Sequence, residues 1–209
     1  QMIEACHVAC VQIVKFQTHL ADAEMLNDGP SAGYIGGSFY ELIRQCELSY
    51  NDHAELKYQT NRRGMEFMST PFSREAADML EQLGVPGFKT GSGELTNIPL
   101  LRHIARKGKP MIVSTGMSTI ADIETMVKSI QPINPNICLM NCASTYPSKY
   151  SDTRLLGIQD LQWRFCCPVG QSDHSLGIAT ALGAVALGAC VIEKHFTLDR
   201  SSKGTDQAM

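Results

Sequence analysis

The fold is decided by residues 169–196, which read VGQSDHSLGIATALGAVALGACVIEKHF. A short strand-like run at 169–172 is followed by apolar positions with helical spacing over 177–187, and a second strand-like run covers 190–196. Gly188 lies between the helical pattern and the second run, where a glycine commonly ends a helix. The stretch therefore predicts a strand, a helix and a parallel strand, the repeating unit of an α/β protein.

The same alternation extends back along the chain, with each strand–helix pair taking roughly 22 to 30 residues. The other strand-like runs are 12–17, 65–70, 87–91, 111–115 and 137–142. The other helical patterns are 2–11, 52–62, 74–83, 99–106, 120–130 and 154–165. Residues 18–50 contain Gly29-Pro30, Gly33 and Gly36-Gly37 and are predicted to form a long loop after the first visible strand.

Seven strands are visible, and the chain opens with a helical pattern rather than a strand. We expect one further strand to precede residue 1, which would make the eight strands of a TIM (β/α)8 barrel. A chain of 209 residues, 44% of them hydrophobic, has the size for one such domain. We therefore predict that residues 1–209 form an incomplete barrel, and a doubly wound open sheet is the alternative.

Composition excludes several classes of partner. A net charge of −3 with scattered basic residues creates no positive potential that would attract nucleic acid or an anionic membrane surface. No apolar run reaches the roughly 18 residues of a membrane span, so we expect a cytoplasmic protein with a small-molecule partner. No CxxC pair occurs among the cysteines, which are predicted to be small core residues rather than a zinc cluster or disulfides; they are Cys6, Cys10, Cys46, Cys138, Cys142, Cys166, Cys167 and Cys190.

Polar side chains concentrate at the carboxyl ends of the predicted strands, where active groups of parallel α/β proteins gather. Lys15 and Lys89 follow apolar strand residues, which suits cations that face a bound anion such as phosphate. Hydroxyl groups and backbone amides could complete a phosphate site; they belong to Ser92, Gly93, Ser114, Gly116, Ser144 and Ser172. The alternatives are turn or helix-cap roles for the serines and surface-directed side chains for the lysines.

Two histidines lie at the ends of consecutive strands. His174 and His195 can converge although they are 21 residues apart in sequence, because one helix joins their strands. Two neutral imidazoles suit Mn, Fe, Co, Ni or Zn and leave coordination positions open. Strand alternation places Glu193 on the same side as His195. Structural histidines and a Glu193–lysine ion pair are the alternatives, and the remaining histidines, His7, His19, His53 and His103, are expected on the surface or in loops.

These residues lie within motifs that carry a family resemblance. The motifs are VKFQT at 14–18, FMSTPFS at 67–73, FKTGSGE at 88–94, VSTGM at 113–117, GQSDH at 170–174 and VIEKHFTLD at 191–199. In this order, over about residues 1–206, they resemble the bacterial N-acetylneuraminate (sialic acid) synthase family. The resemblance implies a TIM barrel that condenses phosphoenolpyruvate with N-acetylmannosamine, closed in a homodimer by an antifreeze-like domain of the partner subunit.

The resemblance also assigns roles to residues. The phosphoenolpyruvate positions are matched by Lys15, Lys89, Ser92, Ser114, Ser144 and Ser172, and the Mn²⁺ positions by His174 and His195. The positions that line the sugar or the reacting carbon are matched by Gln17, Glu94, Tyr146, Glu193 and Asp206. The metal would polarise the aldehyde oxygen, C3 of phosphoenolpyruvate would attack the aldehyde, and water added at C2 would lead to loss of phosphate. Glu94 or Glu193 would move the protons, and the sequence leaves that choice open.

The sequence departs from the family pattern at several points. Asn141 stands where histidine is common, Ser144 where some members have asparagine, and Gln171 where tyrosine or leucine is usual. The first strand, the last helix and the antifreeze-like domain are not within residues 1–209, so we expect little activity from this chain alone. Legionaminic acid synthase is an alternative activity, which the GSGE motif at 91–94 favours over pseudaminic acid synthase. A catalytically inactive homologue that acts as a binding module is the other alternative.

Overall fold

The computed structural model describes residues 1–27, 31–32, 37–202 and 207. Their contacts divide the chain into two compact units. The first consists of Gln1 and Ile3–Lys89, and the second of Met2 and Thr90–Met209. Each unit is described by itself below.

The first unit is built around two parallel strands, β1 (Ile13–Thr18) and β4 (Glu66–Pro71). Their register places Val14 opposite Phe67 and Thr18 opposite Pro71. The helices of this unit are α1 (Met2–Val8), α2 (Ala21–Glu24), α3 (Phe39–Cys46), α4 (Tyr50–Asn61) and α5 (Arg74–Gln82). Both strands therefore form where the sequence predicts them, shifted by one residue.

The loop predicted for residues 18–50 is wrong over much of its length. Besides α2 and α3, this segment contains β2 (Ser31–Ala32) and β3 (Gly37–Ser38), which pair antiparallel. Gly37, one of the glycines that suggested a loop, is the first residue of β3, and α3 has the amphipathic pattern that a solvent-facing helix needs. Residues 28–30 and 33–36, which include most of those glycines, lie outside the described part of the chain.

A buried polar network joins α4 to both strands of the first unit. His53 Nε2 lies 2.9 Å from Thr18 Oγ1, which lies 2.7 Å from Ser69 Oγ. The other ring nitrogen of His53 lies 3.0 Å from the carbonyl oxygen of Ser49. The expectation that His53 is a surface residue is therefore wrong: its side chain is fully buried because both ring nitrogens have polar partners.

The second unit contains most of a five-stranded sheet whose strands follow chain order. The strands are β5 (Phe88–Thr90), β6 (Met111–Ser114), β7 (Ile137–Cys142), β8 (Val169–Asp173) and β9 (Ile192–Lys194). Pairing is parallel from β6 to β9, with Cys142 opposite Ser172 and Ser172 opposite Glu193. Strand β9 is shorter than the predicted 190–196 because the ladder with β8 ends at Asp173.

The helices between these strands are α6 (Ile98–Ala105), α7 (Ile120–Ile130), α8 (Gly157–Phe165) and α9 (Ala179–Ala186). Helix α8 begins three residues later than predicted, and Arg154 there has a positive φ of 43°. Gly188, which was predicted to end a helix, has a positive φ, as a left-handed cap requires, and so do Gly64, Gly84 and Gly108, which follow α4, α5 and α6. In the described residues, no helix is both long enough and apolar enough to cross a membrane.

The cysteines depart from the expectation of core residues. All eight thiols are free, so the structure has no disulfide. Only Cys6 is buried, Cys138, Cys142 and Cys167 are half-buried, and the other four are exposed. The prediction was wrong because apolar neighbours in sequence do not fix which side of an element a small residue occupies.

Candidate active site

Three aromatic rings meet beyond the carboxyl ends of β7, β8 and β9 in the second unit. His174 directly follows β8, and His195 directly follows β9. Their ring centres are 5.2 Å apart, with 57° between the ring planes. The Tyr146 ring stacks on His174 at 4.1 Å and meets His195 edge-on at 5.6 Å. The two histidines that the sequence singled out therefore converge; His174 is buried, whereas His195 and Tyr146 are exposed.

The side chain of His174 is oriented by the backbone. Its Nδ1 lies 2.7 Å from the carbonyl oxygen of Ala143, so a neutral ring donates its proton there and carries its lone pair on Nε2. Burial alone would lower the pKa of His174. Hydrogen bonds with Cys142 and Ala143, together with the charges of Cys142 and Glu193, outweigh burial and hold that pKa above its usual value. A histidine fixed in this way is prepared to offer Nε2 to a ligand.

A carboxylate lies on the same side of the sheet. The register places Glu193 opposite Ser172, and Ser172 Oγ donates a 2.7 Å hydrogen bond to Glu193 Oε2. Ser172 Oγ is also 3.4 Å from His174 Nε2. The alternation predicted for β9 thus places Glu193 near the histidines, and Ser172 lies between Glu193 and His174.

A second group of polar atoms surrounds Gly116. A Cβ atom at this position would lie 2.2 Å from Ser144 Oγ, 2.7 Å from Ser92 Oγ and 3.2 Å from Cys142 Sγ. Only glycine lets these three side chains approach so closely. Ser144 Oγ is buried and has no hydrogen-bond partner within the described residues. A buried hydroxyl of this kind is suited to an oxygen atom of a bound ligand.

Cys142 connects the two groups, and the sequence interpretation missed it. Its sulfur lies 4.0 Å from His174 Nδ1 and accepts a 3.7 Å hydrogen bond from Ser92 Oγ. Burial would raise the pKa of Cys142, but hydrogen bonds with His174, Ser92 and Ser172 and the charge of His174 lower it below the usual value. Cys142 is the last residue of β7, so the strand-end criterion applied to the serines would have found it.

An ion pair between a buried carboxylate and a partly exposed ammonium group lies on the opposite face of β8 and β9. Lys194 Nζ donates to Asp173 Oδ2 at 2.8 Å and to the carbonyl oxygen of Ser175 at 2.5 Å. The other oxygen of Asp173 accepts hydrogen bonds from the backbone and the hydroxyl of Ser175, at 2.8 and 2.6 Å. Burial would raise the pKa of Asp173, and these hydrogen bonds together with the charge of Lys194 lower it instead.

Two of the three departures from the family pattern, Asn141 and Gln171, bond to each other. Asn141 Nδ2 donates to Gln171 Oε1 at 2.7 Å and to the carbonyl oxygen of Thr153 at 3.0 Å. Gln171 Nε2 donates to the carbonyl oxygen of Ser172 at 3.0 Å. The two amides are thus joined by a hydrogen bond between β7 and β8.

The remaining sequence-predicted residues of the second unit lie along its chain as follows. Ser114 is buried at the end of β6. Glu94 is half-buried in a single 3₁₀ turn, Ser92–Glu94, and accepts a 2.8 Å hydrogen bond from Asn97 Nδ2. Gly93, in the same turn, is exposed. Asp206 lies outside the described residues.

Three predicted residues belong to the first unit. Lys15 and Gln17 are exposed on β1, and Lys89 is buried on β5.

Across the residues that the structure describes, no group of three or more histidine, cysteine, aspartate or glutamate side chains is arranged to hold a metal ion. A cation between His174 and His195 would therefore rely on two protein nitrogens and on oxygen atoms of substrate or water.

Comparison with known proteins gives a consistent result. The NeuB family model matches residues 2–209. The chain is 40% identical to an N,N'-diacetyllegionaminic acid synthase of Legionella pneumophila, over 99% of this chain and 61% of that protein. It is 34% identical to the human N-acetylneuraminate-9-phosphate synthase, over 100% of this chain and 59% of that protein. The chain thus spans about 60% of the length of these relatives.

Solved structures agree with this family match. A crystal structure of an N-acetylneuraminic acid synthetase from Leptospira borgpetersenii, in complex with citrate, superposes with a TM-score of 0.89 at 33% identity, covering 99% of this chain and 70% of that one. A truncated 3-deoxy-D-arabino-heptulosonate 7-phosphate synthase from Thermotoga maritima gives a TM-score of 0.74 at 15% identity, covering 99% and 73%, a likeness of fold alone. The predicted α/β class with a parallel, TIM-like sheet is confirmed.

Proposed function

This chain belongs to the NeuB family, and we propose that it binds phosphoenolpyruvate and condenses it with the open-chain aldehyde of N-acetylmannosamine or a closely related acetamido hexose. The products would be a sialic acid type of sugar acid and phosphate. The observation that carries the proposal is the junction at Cys142, where a pair of converging histidines meets a group of closely packed hydroxyls. One part suits a cation and the other a phosphate group.

The hydroxyl group supports phosphate binding. Ser144 Oγ lacks a hydrogen-bond partner among the described residues, and Ser92 Oγ lies against the same glycine. Each hydroxyl can donate to a phosphate oxygen. The family resemblance adds Lys15, Lys89, Ser114 and Ser172 to this proposed set.

The histidine pair supports the binding of a divalent cation such as Mn²⁺. The bond from His174 to the Ala143 carbonyl directs the lone pair of Nε2 away from the backbone, which is how metal-binding histidines are commonly held. When bound, the cation would supply Lewis-acid polarisation of the aldehyde oxygen of the sugar. His174 and His195 would hold it, with the Tyr146 ring packed against both imidazoles.

Glu193 is the carboxylate that we assign to proton transfer. Ser172 holds it beside His174, whereas Glu94 bonds to Asn97 in its own turn. A base must lie within hydrogen-bond reach of the water that adds at C2, and the Ser172 bond fixes Glu193 in one position near the histidines. Gln17, Tyr146 and Asp206 remain the proposed sugar contacts.

The proposed activity is tested in the complete enzyme, by measuring phosphate release from phosphoenolpyruvate in the presence of Mn²⁺ with each acceptor in turn. The acceptors are N-acetylmannosamine and the diacetamido hexose that corresponds to legionaminic acid, with mass spectrometry of the product. We expect phosphate release only with an acceptor, and the faster acceptor identifies the substrate. Binding of phosphoenolpyruvate without release of phosphate in any mixture would instead support the inactive homologue.

The hydroxyl group gives a separate prediction. In Gly116→Ala, the new methyl group would lie 2.2 Å from Ser144 Oγ, so both serines must move. Overpacking of this kind costs about 1–3 kcal/mol, and we expect the dissociation constant of phosphoenolpyruvate to rise by about tenfold or more. Titration calorimetry measures this change.

A matched control is Gly183→Ala in α9, where the new atom meets only the end of the Leu155 side chain. This variant should bind phosphoenolpyruvate as the unaltered protein does. Unchanged phosphoenolpyruvate affinity in Gly116→Ala would show that the serines around Gly116 do not bind the phosphate.

A further inference from the structure

A histidine and a carboxylate that have no role in the proposed reaction lie just beyond the carboxyl end of β1. His19 directly follows Thr18, the last residue of that strand, and Glu24 is the last residue of α2. The Nδ1 atom of His19 lies 2.9 and 3.2 Å from the two carboxylate oxygens of Glu24. The two side chains are only 14% and 5% exposed. The carboxylate therefore holds the imidazole ring in one orientation.

This contact also fixes which ring nitrogen can accept a hydrogen bond. An ionised carboxylate has no proton to give, so the proton of the neutral imidazole is on Nδ1 and the lone pair is on Nε2. Within the described residues, Nε2 of His19 has no hydrogen-bond partner. His19 thus offers one acceptor atom on the side of the ring away from Glu24.

His19 lies on the same face of β1 as two of the proposed substrate contacts. Alternation along the strand places Lys15, Gln17 and the following His19 on one side. Gln17 is opposite Thr70 of β4 in the register. Two positions further along each chain, the rings of His19 and Phe72 stack with their centres 4.3 Å apart and 10° between their planes. The pairing of this face therefore continues past the ends of both strands.

A buried hydroxyl group on this face independently indicates a bound molecule. Thr70 is 2% exposed, and its Oγ1 has no hydrogen-bond partner in the part of the chain that the structure describes. The register places it beside Gln17, one pair before His19 and Phe72. Because buried hydroxyl groups nearly always have a partner, a ligand is expected to supply one here.

The order of residues along β1 indicates which part of the ligand His19 meets. In the proposed function, Lys15 contacts phosphoenolpyruvate and Gln17 lines the sugar or the reacting carbon. His19 lies about 7 Å beyond Gln17, in the direction away from Lys15. A six-carbon sugar whose aldehyde is at the reacting carbon can span this distance. His19 would therefore lie beside the far end of the sugar.

On the basis of that proposed function, we propose that His19 is a specificity-determining residue whose Nε2 accepts a hydrogen bond from the end of the acceptor sugar remote from the aldehyde. The donor is a hydroxyl group in N-acetylmannosamine, or a hydroxyl or amide N–H group in the diacetamido hexose. Glu24 is a positioning residue, because it keeps the proton on Nδ1 and Nε2 as the acceptor. A phosphate group at this end is disfavoured by the negative charge of Glu24.

The first test is steady-state kinetics of the complete enzyme with His19→Phe, which keeps an aromatic ring against Phe72 but removes both nitrogens. We expect the KM of the acceptor to rise about tenfold, because the donor of the sugar loses its partner. The kcat and the KM of phosphoenolpyruvate should change by less than about threefold. His19→Gln, whose amide oxygen can take the place of Nε2, should recover part of the acceptor affinity.

The matched control is His7→Phe, which makes the same change at an exposed histidine of α1 and should leave both KM values unaltered. A second test uses analogues of the preferred acceptor that each lack one hydroxyl or acetamido group at the far end. With the unaltered enzyme, one analogue should have a KM about tenfold higher than that of the preferred acceptor. The same analogue should have equal KM values with the unaltered enzyme and His19→Phe, because the contact is already absent.

The proposal is overturned if no analogue has a raised KM with the unaltered enzyme, a result that does not depend on whether any variant folds. It is also overturned if His19→Phe raises the KM of every analogue by the same factor, or that of phosphoenolpyruvate as much as that of the acceptor. Failure of the proposed function has a different signature, which is the absence of phosphate release by the unaltered enzyme with any acceptor. That result would also remove the role of His19.

Discussion

Replacing His174 with alanine is expected to abolish Mn²⁺ binding and to lower the rate of phosphate release by more than about 100-fold. Loss of a group that only orients a metal ligand typically costs 10- to 100-fold, and loss of the ligand itself costs more. Phosphoenolpyruvate affinity should change by less than about threefold, because the proposed phosphate contacts near Gly116 come from other side chains. His195→Ala should behave in the same way, since the two rings face one position 5.2 Å apart.

Calorimetric titrations of Mn²⁺ and of phosphoenolpyruvate separate the two functions without an activity assay. His7→Ala is the matched control, because His7 is exposed in α1 and has no place in the proposed site. Equal losses of phosphoenolpyruvate and Mn²⁺ affinity in His174→Ala would show that the histidine belongs to the phosphate site. Full Mn²⁺ affinity in that variant would remove the proposed cation from this position.

The convergence of His174 and His195 could be predicted because it depends on topology alone. In parallel strands joined by helices, the carboxyl ends meet at one edge, so residues far apart in sequence become neighbours whenever each follows a strand. The period of two in β9 then places Glu193 with His195, and the register adds Ser172 as its partner. No packing detail is needed for this inference.

His53 and Cys142 could not be assigned in the same way. His53 is buried because Thr18, 35 positions away, and the Ser49 carbonyl satisfy its two nitrogens, and helix α4 gives little apolar periodicity to indicate burial. Cys142 has a lowered pKa because of His174, which lies 32 positions further on. Both properties arise from partners that only the folded chain brings together.

The pair Asn141–Gln171 illustrates a further limit. As separate positions, the two residues are departures from the family pattern with no visible compensation. In the structure, the Asn141 amide donates to the Gln171 carbonyl oxygen, and both bond to backbone carbonyls. The contact between these two positions is visible only in the folded chain.

The ion pair between Asp173 and Lys194 should have the largest effect on stability. These residues alternate with Ser172 and His174 on β8 and with Glu193 and His195 on β9, so the pair joins the two strand ends on the face opposite to the histidines. The Asp173 side chain is fully buried, and that of Lys194 is 32% exposed. Removal of one partner would leave the charge of the buried carboxylate without its cation.

Replacing Lys194 with methionine is therefore expected to lower the free energy of unfolding by about 2–3 kcal/mol. This loss is at or below the lower limit for fully buried ion pairs, because Lys194 is partly solvated. Urea denaturation of the unaltered protein and of Lys194→Met measures this loss of stability. Lys128→Met, which breaks the exposed pair with Glu124 at 3.6 Å, is the matched control and should cost less than about 1 kcal/mol. Adding Asp173→Asn to Lys194→Met removes the unpaired charge, so the double variant should regain part of the loss. If Lys194→Met is no less stable than Lys128→Met, the pair does not join the two strand ends as argued.

In the folded Lys194→Met protein we also expect Mn²⁺ affinity to fall by about tenfold, because the backbone that carries both histidines loses this cross-strand bond.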